Sequence, residues 1–409
     1  MTFKRTLSLA FLVTLVTPLA LAACSSSSAS GPSESAKCES ALTVQRFRSL
    51  AIVEDEVTLD ARARNDVDGP WSFRRRMEDL AAPGEDPAAL TLSWLDNWRS
   101  RERVNLFDVA ARPFVEHKAF CNWLLATPSN GCDETCTTCT ARKFDLARAP
   151  FRLLAITNRG DLNRTVAPPN AAGEVRFVYG LTQGAADDPA SNPMFMSVIF
   201  EYRQPLKGRT RKQMAQTWYA LGQHAALDEA FKSDLDKILV DLVGPGAEPD
   251  RPRGSSLSQV RVNEREFDWQ WDMREYSVTE QGLTPAPQRN TPDHTNNGSQ
   301  ELASFLRDNR NAVLSGTHLV PTRLAGGSIG IIEKWSAPAA DSDLVAAFSL
   351  ETCNGCHQTK MQDFNLHITP FKSGTAKLSP FMNDPANPTQ DDLGKREAYM
   401  RLQMCEPAP

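Results

Sequence analysis

Phe267-Asp268-Trp269-Gln270-Trp271-Asp272-Met273-Arg274 alternates large apolar side chains with polar ones over eight residues. A period of two is the pleat of a β-strand, with Phe267, Trp269, Trp271 and Met273 on one oily face and Asp268, Gln270, Asp272 and Arg274 on the other. A strand that is oily on one side belongs to an antiparallel sheet packed on one face, and that half-buried strand accounts for Trp269 and Trp271 more simply than a stacking platform for a ligand. Similar signals flank it. Phe151 to Ile156 is apolar, Val175, Phe177 and Tyr179 alternate, and Met194 to Tyr202 is rich in β-branched and aromatic residues.

Helical periodicity lies between these runs. Asp86-Pro87, a polar cap followed by proline at the first turn, opens a helix with Leu90, Trp94, Leu95 and Trp98 on one face. A second helix carries Leu227, Phe231, Leu235, Ile238, Leu239 and Leu242 in register and stops at Gly244-Pro245. No long linker or internal repeat divides the stretch, so residues 40–335 read as one α+β domain.

Composition narrows the function. The 409 residues are 41% hydrophobic and 23% charged with a net charge of −5, which suits an ordinary globular domain and offers no basic surplus for nucleic acid. No nucleotide-binding glycine loop and no Gly-x-Ser-x-Gly elbow is present. Arg159-Gly160-Asp161 follows an apolar strand and reads as a turn.

Lys4 and Arg5 precede an apolar run from Leu7 to Ala23, the pattern of a secretory signal and too short for a retained membrane span. The run ends in Leu21-Ala22-Ala23-Cys24, which resembles the lipobox of bacterial lipoproteins. That resemblance implies a signal peptide over 1–23, acylation of Cys24 and anchorage of the mature chain to a membrane through lipid. Ordinary cleavage near Ala23 with a free Cys24 is the plainer alternative. The small polar tract after Cys24 cannot bury a core and predicts a flexible tether over 24–39. Ser25, where an aspartate marks inner-membrane retention in enteric bacteria, implies the outer membrane by the same resemblance.

Export makes the cysteines informative, because disulfides persist outside the cytoplasm. Cys353-Asn354-Gly355-Cys356-His357 has the spacing of a c-type haem site, in which each thiol adds to a porphyrin vinyl group and the histidine becomes the proximal iron ligand. Nine Cys and six His in 409 residues leave roughly 0.003 chance occurrences of that pattern. A Cys353–Cys356 disulfide is the competing reading, and Cys136-Thr137-Thr138-Cys139 shows the same spacing without a histidine. Cys38, Cys121, Cys132, Cys136, Cys139 and Cys405 can form three disulfides. Their connectivity is not fixed by spacing, and a Cys38–Cys405 bridge tying the two ends together is a guess. Cys121, Cys132, Cys136 and Cys139 could alternatively hold zinc as four thiolates.

Residues 336–409 differ from the rest. Asp341 can cap a helix bearing Leu344, Ala347 and Phe348 that runs into Cys353, a Pro- and Asn-rich loop follows, and Thr389 with Asp392 starts a last helix bearing Leu393, Met400 and Met404. Helix, attachment motif, loop and terminal helix resemble a small mono-haem c-type cytochrome. The resemblance implies one haem c and a second axial ligand, His or Met, for which His367 and Met382 are both within reach of His357, with a slight lean to His367. Met361, Met400 and Met404 read as packing residues. The expectation is an electron carrier rather than a catalyst, without catalytic residues or nucleotide, whose larger domain docks a redox partner protein. The alternative is a haem-free, disulfide-stapled surface lipoprotein acting as a binding or scaffold module.

Overall fold

The computed structural model describes residues 34–112, 116–164, 170–264, 271–327, 335–338, 340–359, 366–370 and 376–406. The signal, Cys24, most of the tether, Phe267, Trp269 and Met361 lie outside the described residues. The last part of the span read as tether forms helix α1 (Glu34–Ala41).

The fold is α+β. Strands β1 (Ala51–Ile52), β4 (Phe151–Arg159), β5 (Ala171–Thr182), β6 (Pro193–Pro205), β7 (Leu257–Glu264), β8 (Asp272–Thr279) and β9 (Gly282–Ala286) form a seven-stranded sheet in that order. Every pairing in it is antiparallel. A separate hairpin, β2 (Glu102–Val104) with β3 (Phe107–Val109), stands outside it.

One face of the sheet carries Phe177, Phe200, Val260 and Tyr276 in direct register across four strands. Helices α2 (Phe73–Leu80), α3 (Pro87–Leu95), α4 (Arg211–Gly222) and α5 (Glu229–Val243) contribute Phe73, Trp94, Trp218, Leu235 and Leu239 to the same apolar cluster. Phe73 stacks on Phe151 with ring centroids 4.1 Å apart, and Trp94 meets Tyr276 edge-on at 5.9 Å. Both expected helices form where their caps place them. The Asp86 carboxylate accepts from the Ala88 N–H at 2.9 Å, and Asp228 accepts from Ala230 and Phe231 at 3.1 Å each. Leu227 therefore falls just outside α5, which begins two residues later.

The other face is built from charge. Glu174, Arg176, Glu201, Arg261, Glu275 and Arg289 form a continuous ladder across β5, β6, β7 and β8, with contacts of 2.7, 3.3, 3.7, 3.2 and 3.4 Å in that order. Its glutamates are almost wholly buried. Strand β8 corrects the half-buried reading of its alternation. Asp272 and Arg274 are buried too, because Arg112 pairs with Asp272 and Glu264 while Arg274 pairs with Glu264 at 3.1 Å. By the pleat, Trp271 and Met273 share the face of the ladder rather than that of the aromatic core.

The chain after β9 covers that second face. Helices α6 (Gln300–Asp308), α7 (Arg310–Leu314) and α8 (Ser342–Leu350) gather Leu302, Phe305, Leu306, Val313, Trp335, Leu344 and Phe348 into a second apolar cluster. This cluster straddles the boundary expected at residue 335. Helix α9 (Cys353–Thr359) follows, then the short pair β10 (Ile368–Thr369) and β11 (Lys377–Leu378). A side chain at Gly180 would meet Leu154 at 2.9 Å and Pro370 at 3.0 Å, so the glycine makes room for the segment bearing β10. Helix α10 (Asp392–Cys405) is capped by Asp391 rather than started at Thr389, and its Leu393 and Met400 join the main core.

Six cysteines pair as Cys38–Cys405, Cys121–Cys136 and Cys132–Cys139. The first is the guessed bridge between the ends. The other two overturn the zinc reading, since all four sulfurs are bonded in pairs. The Cys38–Cys405 link closes 367 residues, and replacing both cysteines by serine should lower the unfolding free energy by about 2–5 kcal/mol. Urea titration checks this; a loss below about 0.5 kcal/mol would show that the bridge restrains nothing.

Candidate functional site

Cys353 and Cys356 are the two described cysteines left as thiols. They lie one turn apart on α9, and the turn is fixed from several directions. The Thr352 hydroxyl donates to the Ser349 carbonyl at 2.7 Å and accepts from the Gly355 N–H at 3.3 Å. The Trp335 indole donates to Thr352 Oγ1 at 3.1 Å and Asn354 Oδ1 at 3.2 Å, both buried. The Cys353 N–H donates to Thr291 Oγ1 at 2.9 Å, which ties the turn to the chain just after β9. Gly355 is forced by close approach, because a Cβ there would collide with the Ser349 carbonyl oxygen.

Cys353 packs on Trp271 and Met273, so the oily residues of the opening strand form the floor of this site. His357 is buried, and its ring lies flat on Trp271 with centroids 4.5 Å apart and planes 23° apart. The His367 ring is also beside it, with centroids 4.2 Å apart and planes 47° apart. His367 Nδ1 is 3.2 Å from Ser379 Oγ and Nε2 is 3.5 Å from Cys356 Sγ. With Nδ1–H given to Ser379, the Nε2 lone pair faces the thiol. Phe381 closes the stack against His367 at 4.7 Å.

The electrostatics follow from burial. Burial, then the His357 ring and the Arg396, Arg159 and Arg176 guanidiniums, hold His367 well below the usual histidine range. Its ring is neutral with a lone pair to offer. Burial pushes both thiols up, opposed at Cys353 by Arg261 and reinforced at Cys356 by Asp392. Both sulfurs are therefore protonated at neutral pH.

The structure brings together Cys353, Cys356, His357 and His367. Met382 is buried in the main apolar cluster with Ile368, Leu393 and Met400. Among the described residues no group of three or more His, Cys, Asp or Glu is arranged to hold a bare metal ion. Sequence reasoning missed Trp271 as a partner of His357, and also Trp335, Thr352 and Ser379. Thr352, a threonine directly before the motif and three residues from Gly355, carried a readable cap signal; the others come from distant parts of the chain.

The donor set suits a c-type haem: two thiols outside the disulfides one helical turn apart, an adjacent imidazole, and a second imidazole, held neutral, close to the first. The spacing of the rings is tight. Cys353, Cys356, His357 and His367 would hold the haem, and with ring centroids 4.2 Å apart one ring would have to move aside to admit it, most simply that of His367. His367 immediately precedes the short strand β10 and is not on a helix. Compared with family models, curated proteins and solved structures, the chain matches none.

Gly355→Ala should lower stability by about 1–3 kcal/mol and loosen the turn holding both thiols, read by urea titration and by faster alkylation of Cys353 and Cys356; unchanged values in both would refute the steric account. His367 makes a second expectation. Unfolding frees its ring to bind a proton below about pH 6.5, so the stability due to the neutral ring is present above that pH and declines as pH falls, by up to about 1.4 kcal/mol per unit. His367→Asn should flatten the decline between pH 6.5 and 5 in urea titrations, and an unaltered slope counts against a buried neutral ring.

Proposed function

We propose that this chain is an exported, lipid-tethered electron carrier that holds one c-type haem through thioether bonds from Cys353 and Cys356, with His357 and His367 as axial ligands. The observation that carries the reading is the close approach of two imidazoles, 4.2 Å between ring centroids, beside the two described thiols that stay out of the disulfides. Haem held in this way supplies an iron that cycles between ferric and ferrous states.

The chain's own residues provide the setting. Trp335, Thr352 and Thr291 hold the attachment turn, Ser379 orients the His367 ring so that Nε2 points inward, and Trp271 and Phe381 flank the imidazoles with flat apolar surface. The arginines around His367 favour its neutral form. Residues 336–409 then act as a cytochrome-like segment whose terminal helix is built into the larger domain. Cys24 carries the acyl anchor, by the lipobox resemblance, and the outer membrane is the destination that Ser25 suggests. The larger domain docks a redox partner protein. Among the described residues no helix is long and apolar enough to cross a membrane.

One observation favours the second reading, a haem-free scaffold lipoprotein: the His357 and His367 rings already touch and Trp271 already covers one of them. The two readings part in one experiment. The full chain is expressed with a c-type maturation system in an exporting host and denatured, and haem that stays with the polypeptide is sought by pyridine haemochrome spectrum and intact mass. Covalent haem is expected, with His367→Ala altering the axial-ligand bands and Met382→Ala leaving them in place. Colourless protein, with no added macrocycle mass after proper maturation, would sink the redox role.

A further inference from the structure

His318 stands just after α7, between Thr317 and Leu319, which are both exposed, whereas His318 itself is only 4% exposed. Its ring turns into the second apolar cluster, with its centroid 5.4 Å from that of Phe348 and 6.2 Å from that of Phe305. Neither ring nitrogen finds a hydrogen-bond partner in the protein. The Ala312 carbonyl, the backbone group that acts on the ring, already accepts the Thr317 N–H at 2.8 Å. A neutral imidazole packs there as a small aromatic, but an imidazolium would bury a charge and two donors with nothing to meet them.

The charges of the surrounding elements lie on the surface. On α6 Glu301, Arg307 and Asp308 are exposed, and Glu301 is taken by Arg323 at 2.8 Å. Arg310 of α7 pairs with Asp341, the cap of α8, at 3.0 Å, Asp343 is exposed as well, and residues 335–338 carry no charge. Glu351, just past α8, lies against Gly316, two residues before the histidine. Burial therefore holds the ring below the usual histidine range. Contacts then lead from this ring to the thiols. Phe348 also meets Trp335 at 5.8 Å, and the Trp335 indole holds Thr352 and Asn354 in the attachment turn.

We infer that His318 is an acid-released latch: protonation drives its ring out of the second apolar cluster toward Glu351 and loosens the turn that bears Cys353 and Cys356. The exposed neighbours Thr317 and Leu319 let the ring leave without unfolding the sheet. The freed ring takes up a proton below about pH 6.5, so the closed form is favoured above that pH and gives way as pH falls. The device does not depend on haem.

The test uses the full chain without haem, between about pH 7.5 and 5. Amide exchange of α6 and α8, corrected for its intrinsic pH dependence, should quicken by up to about tenfold per unit below about pH 6.5. Reaction of Cys353 and Cys356 with 4,4′-dithiodipyridine, taken relative to the urea-unfolded chain at the same pH, should quicken with it. His318→Phe should remove the acid dependence of exchange in α6 and α8, while His367→Asn should leave it in place, which separates the latch from the ring beside Cys356. Should the phenylalanine chain fail to fold, the imidazole resonances of the native chain decide the matter, with His318 expected to titrate in step with the rise in exchange. Exchange that stays flat with pH in the native chain, that keeps its slope in His318→Phe, or that rises while the His318 resonance does not move, would overturn the latch.

Discussion

Arg261 stands between Glu201 and Glu275 beneath Cys353, and the ladder of alternating charge to which it belongs is the constraint on which the architecture rests. Ionised side chains leave water only when each is met by an opposite charge or a hydrogen bond. Glu174, Arg176, Glu201, Arg261 and Glu275 meet that condition across four adjacent strands, so the sheet can be covered on both faces without an apolar second side. One face is then free to be largely apolar, and the other can carry the chain that bears Cys353, Cys356 and His367. A register slip of one residue would exchange the faces and place like with unlike throughout, which gives the sheet a single workable alignment.

The strands and helices whose signals are local were legible in the sequence. Asp86-Pro87 and Asp228 cap their helices, Gly244 ends one, and the apolar runs at 151–156 and 194–202 are strands of the sheet. The β8 alternation was legible as a period and misleading as a polarity, because Asp272 and Arg274 are buried by partners at Arg112 and Glu264 that no local pattern reveals. The start of the last helix moved for a related reason: Asp391 out-competes Thr389 as a cap by accepting from Gly394 and by binding Arg46, far away in the chain.

At the candidate site, the motif named its own thiols and first imidazole, and reach alone left His367 and Met382 equal. Their packing differs. His367 is held by Ser379 and Phe381 against His357, while Met382 is consumed by the main core. Trp335 and Trp271 hold the turn and the ring from 18 and 86 positions earlier in the chain, and only the folded arrangement shows why those tryptophans are there. Both also explain the environment of the site: the indoles exclude water, and exclusion of water keeps the sulfurs protonated and the second imidazole neutral.

The Cys38–Cys405 bond has a mechanical meaning. It turns the polypeptide between those residues into a loop without free ends, so a force applied to the chain ahead of Cys38 reaches the first and last helices together. An exopeptidase likewise stops at the staple from either side. Between the two sulfurs the polypeptide offers no end to pull.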